Sequence, residues 1–248
     1  MIIVKSDHEL ELMRISGKVT AYILKELNDF IRPGITTLDI DRHVEKIIRD
    51  NGMEPTFKGY GGFPASVCAS INEEVVHGIP SEYTILHEGD IISIDVGSTY
   101  EGYVSDAART YPVGEVSETA KNIMDAAEQG FFEGLKYCRK GFRISDISHA
   151  VQKKVEELGF GVIRDYVGHG VGRNMHEEPQ IPNYGKSGRG PRIAKGMCLA
   201  IEPMITEGTF KCRTLDNGWT VVTQDGGLAA HYENTVAISD DEPEVLTL

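Results

Sequence analysis

What is scarce in this chain narrows its function before any motif is read. Cysteine occurs four times, at Cys68, Cys138, Cys198 and Cys212, with no Cys-x-x-Cys pair and no metal-finger spacing. That excludes a disulfide scaffold and a thiolate zinc module, and it points to free thiols in a reducing cytoplasm. No stretch approaches the roughly eighteen apolar residues of a membrane span, and the amino-terminal MIIVKSDHELELMR interleaves apolar and charged side chains, unlike a signal peptide. Positive charge is in deficit, with 25 Lys and Arg against 38 Asp and Glu and a formal net charge of −13. Such a surface repels a phosphate backbone, so stable nucleic-acid binding is not expected. The basic stretch GKSGRGPR, with Lys186, Arg189 and Arg192, reads as a solvated loop. No Ser/Pro-rich linker divides the 248 residues, and a fold of that size buries roughly 70–75% of its unfolded surface without help from a disulfide or structural metal.

What the chain does contain is a repeat. GITTLDIDRHVEKIIRDNG (34 to 52) and GFRISDISHAVQKKVEELG (141 to 159) share a pattern at a constant offset of 107 residues. Ile40, Val44 and Ile48, and their counterparts Ile147, Val151 and Val155, recur every four residues. Asp39 and Asp146 suit N-capping, and Gly52 and Gly159 suit the position just past a helix end. Each copy therefore reads as an amphipathic helix, preceded by another helical segment near 7–31 and near 117–138. The offset continues into strands, where EGDIISIDVG (88 to 97) falls on KGMCLAIEPM (195 to 204) and matches Asp95 with Glu202. Asp106 in GYVSDAART and Glu233 in AAHYENTVAI are again acids in β-prone stretches. The expectation is an α+β fold built from a duplicated unit, one pseudo-symmetric domain over 1–248 with halves of about 1–110 and 111–248.

A carboxylate in a buried strand is costly unless paired or ligated, and four at related places call for cations. Carboxylate-rich ligation with few imidazoles suits Mn, Fe(II), Co or Zn. The stretch GHGVGRNMHEEP (168 to 179) adds His169 and His176 in a glycine-rich backbone, read as a strand running into a loop and built for close approach.

The motifs DVGSTYEGYVSDAART, GHGVGRNMHEEP, AIEPM and YENT together resemble those of the type I methionine aminopeptidases, in the wider creatinase and prolidase "pita-bread" family of M24 peptidases. The resemblance covers nearly the whole chain. It implies a curved antiparallel sheet with helices on its outer face, and two divalent metal ions (Co, Mn, Fe(II) or Zn). By that resemblance Asp95 is a bidentate ligand of one metal, Asp106 and Glu233 bridge both, and His169 and Glu202 complete the second site. It implies hydrolytic removal of the initiator methionine from nascent chains by a metal-bridged hydroxide when the second residue is small. Glu202 is then general base and acid, His176 the donor to the substrate carbonyl, and His77, in EEVVHGIP, a contact at the mouth of the site. A cytoplasmic monomer with transient ribosome association is the family's usual setting.

The same resemblance places Phe57, Tyr60, Phe63, Cys68 and the sole tryptophan, Trp219, around an apolar pocket for the methionine side chain. Many relatives carry Phe before the second motif histidine. This chain has Met175, which bears on pocket shape and not on the chemistry. His231, two residues from Glu233, is expected to point the same way from its strand and to give outer support at most. His8, His43, His87 and His149 read as structural or solvated. A prolidase-like peptidase would share the five ligands but usually carries a further N-terminal domain, for which the early first repeat leaves no room. Retention of all five ligands opposes a non-catalytic relative, and the absence of a long insertion between the second-half motifs favours type I over type II.

Overall fold

The computed structural model describes residues 1–248. Its four α-helices are α1 (Asp7–Phe30), α2 (Thr37–Asp50), α3 (Glu118–Leu135) and α4 (Ile144–Glu157). The repeat survives in three dimensions: α4 begins and ends 107 residues after α2. The strands Ile91–Tyr100 and Cys198–Ile201 start at the same offset, and the isolated bridge between Thr36 and Ile85 recurs between Arg143 and Arg192.

Asp39 and Asp146 are not the N-caps expected of them. They stand at the third helical position and reach back to the capping residue, where the Asp39 carboxylate accepts the Thr36 N–H at 2.9 Å and the Asp146 carboxylate the Arg143 N–H at 2.7 Å. This is the return arm of a capping box, a use of Asp that spacing alone does not separate from an N-cap. Gly52 and Gly159 follow the helices at φ 70° and 88°, the left-handed conformation that a Cβ disfavours.

Every strand pairing is antiparallel. In the first half Ile91–Tyr100 lies between Val67–Ile71 and Tyr103–Pro112. In the second, Cys198–Ile201 lies between Gly168–Gly170 and Asn234–Ala237. The halves are stitched through their inner strands: Glu233 N–H donates to the Ala108 carbonyl at 2.9 Å, with the return bond at 3.3 Å. Thr235 Oγ1 accepts the Asp106 N–H at 2.9 Å and donates to the Asp106 carbonyl at 2.8 Å.

The helices decide which sheet face is polar. α1 and α2 bury Ile23, Leu27, Ile40 and Val44 against Ile92, Ile94 and Val96. α3 and α4 bury Ile123, Phe131, Ile147 and Val151 against Leu199 and Ile201. Each such side chain contributes about 1.5–3 kcal/mol on burial, and a slip of one residue would turn the whole set outward. Asp95 and Glu202, one residue from Ile94 and Ile201, are thereby directed to the face away from the helices. No helix is long and apolar enough to cross a membrane.

Candidate active site

Register places the acids. Asp95 pairs with Ala108 and Gly97 with Asp106 across the same two strands, so the two aspartates are diagonal neighbours on one face. Ile201 pairs with Asn234, which leaves Glu202 and Glu233 adjacent just beyond the end of that ladder. His169 sits on the neighbouring strand opposite Ala200. Its Nδ1 bonds to the Gly170 carbonyl at 2.9 Å, which holds the ring and turns Nε2 toward the acids, 3.5 Å from Glu202 Oε1 and 3.8 Å from Asp106 Oδ2.

Two overlapping sets of donor atoms result. Asp95, His231 and Glu233 form one, and Asp106, His169 and Glu233 the other; within each set the atoms lie within 4.8 Å of one another. Glu233 belongs to both. Asp95 Oδ1, Asp106 Oδ1 and Glu233 Oε1 are buried without a hydrogen-bond partner, a costly state for any polar atom. Burial, and then mutual repulsion, raises the carboxyls of Asp95, Asp106 and Glu202 well above the usual range. Burial pushes Glu233 up to about 8 against the opposing charge of Arg109, and it pulls the His169 imidazole down to about 4. Crowded acids and a neutral imidazole with orphaned donor atoms fit divalent cations.

The cluster lines a cavity of about 200 Å³ that is also bordered by His77, His176 and all the pocket residues expected from the sequence. His176 lies just before the strand Glu177–Ile181, its ring 4.3 Å from that of His169 and its Nδ1 2.8 Å from the Tyr60 hydroxyl. His77 takes a left-handed backbone (φ 61°) and meets Tyr166 and Trp219 edge-on, at ring separations of 5.6 and 6.3 Å. Burial holds its pKa down to about 4. Phe57, Phe63 and Cys68 form an apolar cluster against which Met175 and Trp219 pack. Tyr60 stands at the rim, 46% exposed.

The glycines around His169 admit neighbouring strands. A Cβ on Gly168 would meet the Ala200 carbonyl oxygen at 2.4 Å, and one on Gly170 the Glu178 carbonyl oxygen at 2.4 Å. His231 Nε2 lies 3.4 Å from Glu233 Oε2. Tyr166 lines the cavity without any signal in the sequence that could have found it.

A family model for metallopeptidase family M24 matches residues 11–240. The chain belongs to that family. This M24 peptidase is 56% identical to the methionine aminopeptidase of Clostridium acetobutylicum, over all of this chain and 99% of the relative. A crystal structure of a methionine aminopeptidase from Thermotoga maritima superimposes with TM-score 0.98 at 46% identity, covering 100% and 99% of the two chains. The prolidase of Pyrococcus furiosus shares the fold at 22% identity and TM-score 0.78; this chain covers 65% of it. The M24 peptidase thus has the pita-bread fold of both groups.

Proposed function

We infer that this metalloaminopeptidase removes methionine from the amino terminus of peptides and nascent proteins, acting where the second residue is small. The observation that carries the reading is a cluster of four acids, Asp106 and Glu233 buried and Asp95 and Glu202 partly so, and His169, sharing one cavity with an apolar cluster of Phe57, Phe63, Cys68, Met175 and Trp219. An unbranched thioether matches such a soft, aromatic-walled pocket. A free amino terminus, rather than an internal bond, matches the negative charge beside it.

We assign two divalent cations to this cluster, held by Asp95, Asp106, His169, Glu202 and Glu233. When bound, they supply an activated water nucleophile and polarise the scissile carbonyl. Glu202 takes the proton of the attacking water and returns it to the departing nitrogen, first as base and then as acid. His176 donates to the carbonyl oxygen, a bond that strengthens as negative charge develops there. His77, fixed between Tyr166 and Trp219, contacts the peptide at the mouth. Because the acids come from both halves, the chain acts as one catalytic unit. Four unpaired thiols suit a cytoplasmic setting.

The test offers Met-Gly-Met-Met beside a Xaa-Pro dipeptide and follows release of free amino acid. Methionine release from the first with no cleavage of the second is expected. Preference for the Xaa-Pro substrate overturns the reading in favour of a prolidase.

A further inference from the structure

We propose that His231 is itself a metal ligand, binding through Nε2 a cation held with Asp95 and Glu233, so that each of the two cation positions has one imidazole. The inference rests on the metallopeptidase reading above.

The backbone presents the ring to the acids. His231 ends the strand Ala229–His231, in register with Met204. Its N–H donates to Thr110 Oγ1 at 2.9 Å, and its carbonyl accepts from the same hydroxyl at 3.0 Å. This clamp fixes the residue two positions before Glu233, and alternate strand residues share a face.

The Nε2 of the ring has no hydrogen-bond partner. The residue is 2% exposed, and this buried nitrogen lies 3.4 Å from Glu233 Oε2. Nearby Arg109 commits its guanidinium to the carbonyls of Ala108 and Glu233 and to Asn234 Oδ1. A core histidine ordinarily finds a protein partner for its buried nitrogen, as His169 does at the Gly170 carbonyl. Asp95 and Glu233 each carry an equally unpaired buried oxygen, Oδ1 and Oε1, and donor atoms of the three residues lie within 4.8 Å of one another, the spacing of one coordination shell. A single cation satisfies all three. The nitrogen donor also tilts this position toward borderline ions such as Fe(II), Co or Zn and away from Mg or Ca.

Full-length protein, stripped of metal and labelled with ¹⁵N in its histidine rings, is titrated to two equivalents of Zn(II) and read by long-range ¹H–¹⁵N correlation. The expected result is a metal-bound nitrogen shift at two imidazoles, those of His169 and His231. The His231 signal is identified by its loss in His231→Gln or, should that variant not fold, by through-bond assignment of the unsubstituted protein. In the folded variant one of the two ions should bind about tenfold or more weakly. Zinc uptake with His169 as the sole coordinated imidazole overturns this inference and leaves the metallopeptidase reading standing. Absence of any zinc uptake overturns both.

Discussion

The Tyr60 hydroxyl lies 2.8 Å from Nδ1 of His176. Burial lowers the pKa of this imidazole, so it is neutral at physiological pH and carries one proton. When the phenol donates to Nδ1, the one imidazole proton lies on Nε2, free to face the substrate carbonyl. A rim residue expected only to line the pocket is thus hydrogen-bonded to the group proposed to stabilise the oxyanion.

Replacing Tyr60 with Phe removes one hydrogen bond, worth about 0.5–1.5 kcal/mol. The expected loss in kcat is about two- to tenfold, with KM nearly unchanged. His176→Ala should cost about 10²-fold or more while metal content stays intact. In the double variant the Tyr60 substitution should add little to the His176 loss; independent, multiplying effects would separate the two residues.

Removal of metal by a chelator should abolish turnover, with recovery on adding Co, Mn or Fe(II). Persistent full activity in rigorously stripped protein contradicts the proposed hydrolysis. Binding should also release protons, because the raised acids must ionise to ligate.

The stripped protein should lose stability as pH rises from about 6.5 to 8.5. The four acids have folded pKa values above their unfolded ones, Glu233 up to about 8. Each costs stability as pH rises from the unfolded carboxyl value, near 4, to its folded value, because over that range the unfolded chain has released a proton that the folded one still holds. His77, His169 and His231 are depressed to about 4, 4 and 3, which raises stability with pH but only below about 6.5, the unfolded histidine value. Above that point the acids act alone. Thermal melts in chelator should show Tm falling across this window, and added cation should raise Tm more at pH 8 than at pH 6.5. A flat profile would contradict the crowding of the acids.

Gly170→Ala places a Cβ 2.4 Å from the Glu178 carbonyl oxygen, and neither backbone can yield without shifting the His169 strand. An overpacking cost of about 1–3 kcal/mol is expected, seen as a lower Tm together with weaker metal binding. Unchanged values for both would show that the strand spacing has slack.

Trp219→Ala opens the wall formed with Phe63, whose ring it meets edge-on at 5.1 Å. The catalytic groups stay in place, so kcat/KM for methionyl peptides should fall through KM, by about tenfold, in line with the 1–3 kcal/mol that a well-filled apolar contact provides. A fall confined to kcat would mean that the tryptophan also orients His77.

Much of the fold was legible because periodicity and repetition are local properties of a chain. Ile40, Val44 and Ile48 announce a helix face without reference to any partner, and the offset of 107 residues carries the same statement to Ile147, Val151 and Val155. The acids were legible for a related reason: a carboxylate in an apolar strand is conspicuous wherever the strand packs. What the sequence could not determine is which donor atoms remain unpaired, since that depends on strands brought together across the two halves. Asp39 looked like a cap because propensity does not distinguish the capping residue from the third position that reaches back to it. The glycines of GHGVG announced a close approach, but only the packed strands show that Ala200 and Glu178 do the approaching. His231 is the sharpest case, because a histidine two residues from a ligand can face a solvent, a backbone or a metal. The tertiary structure leaves its Nε2 buried without a hydrogen-bond partner, 3.4 Å from Glu233 Oε2.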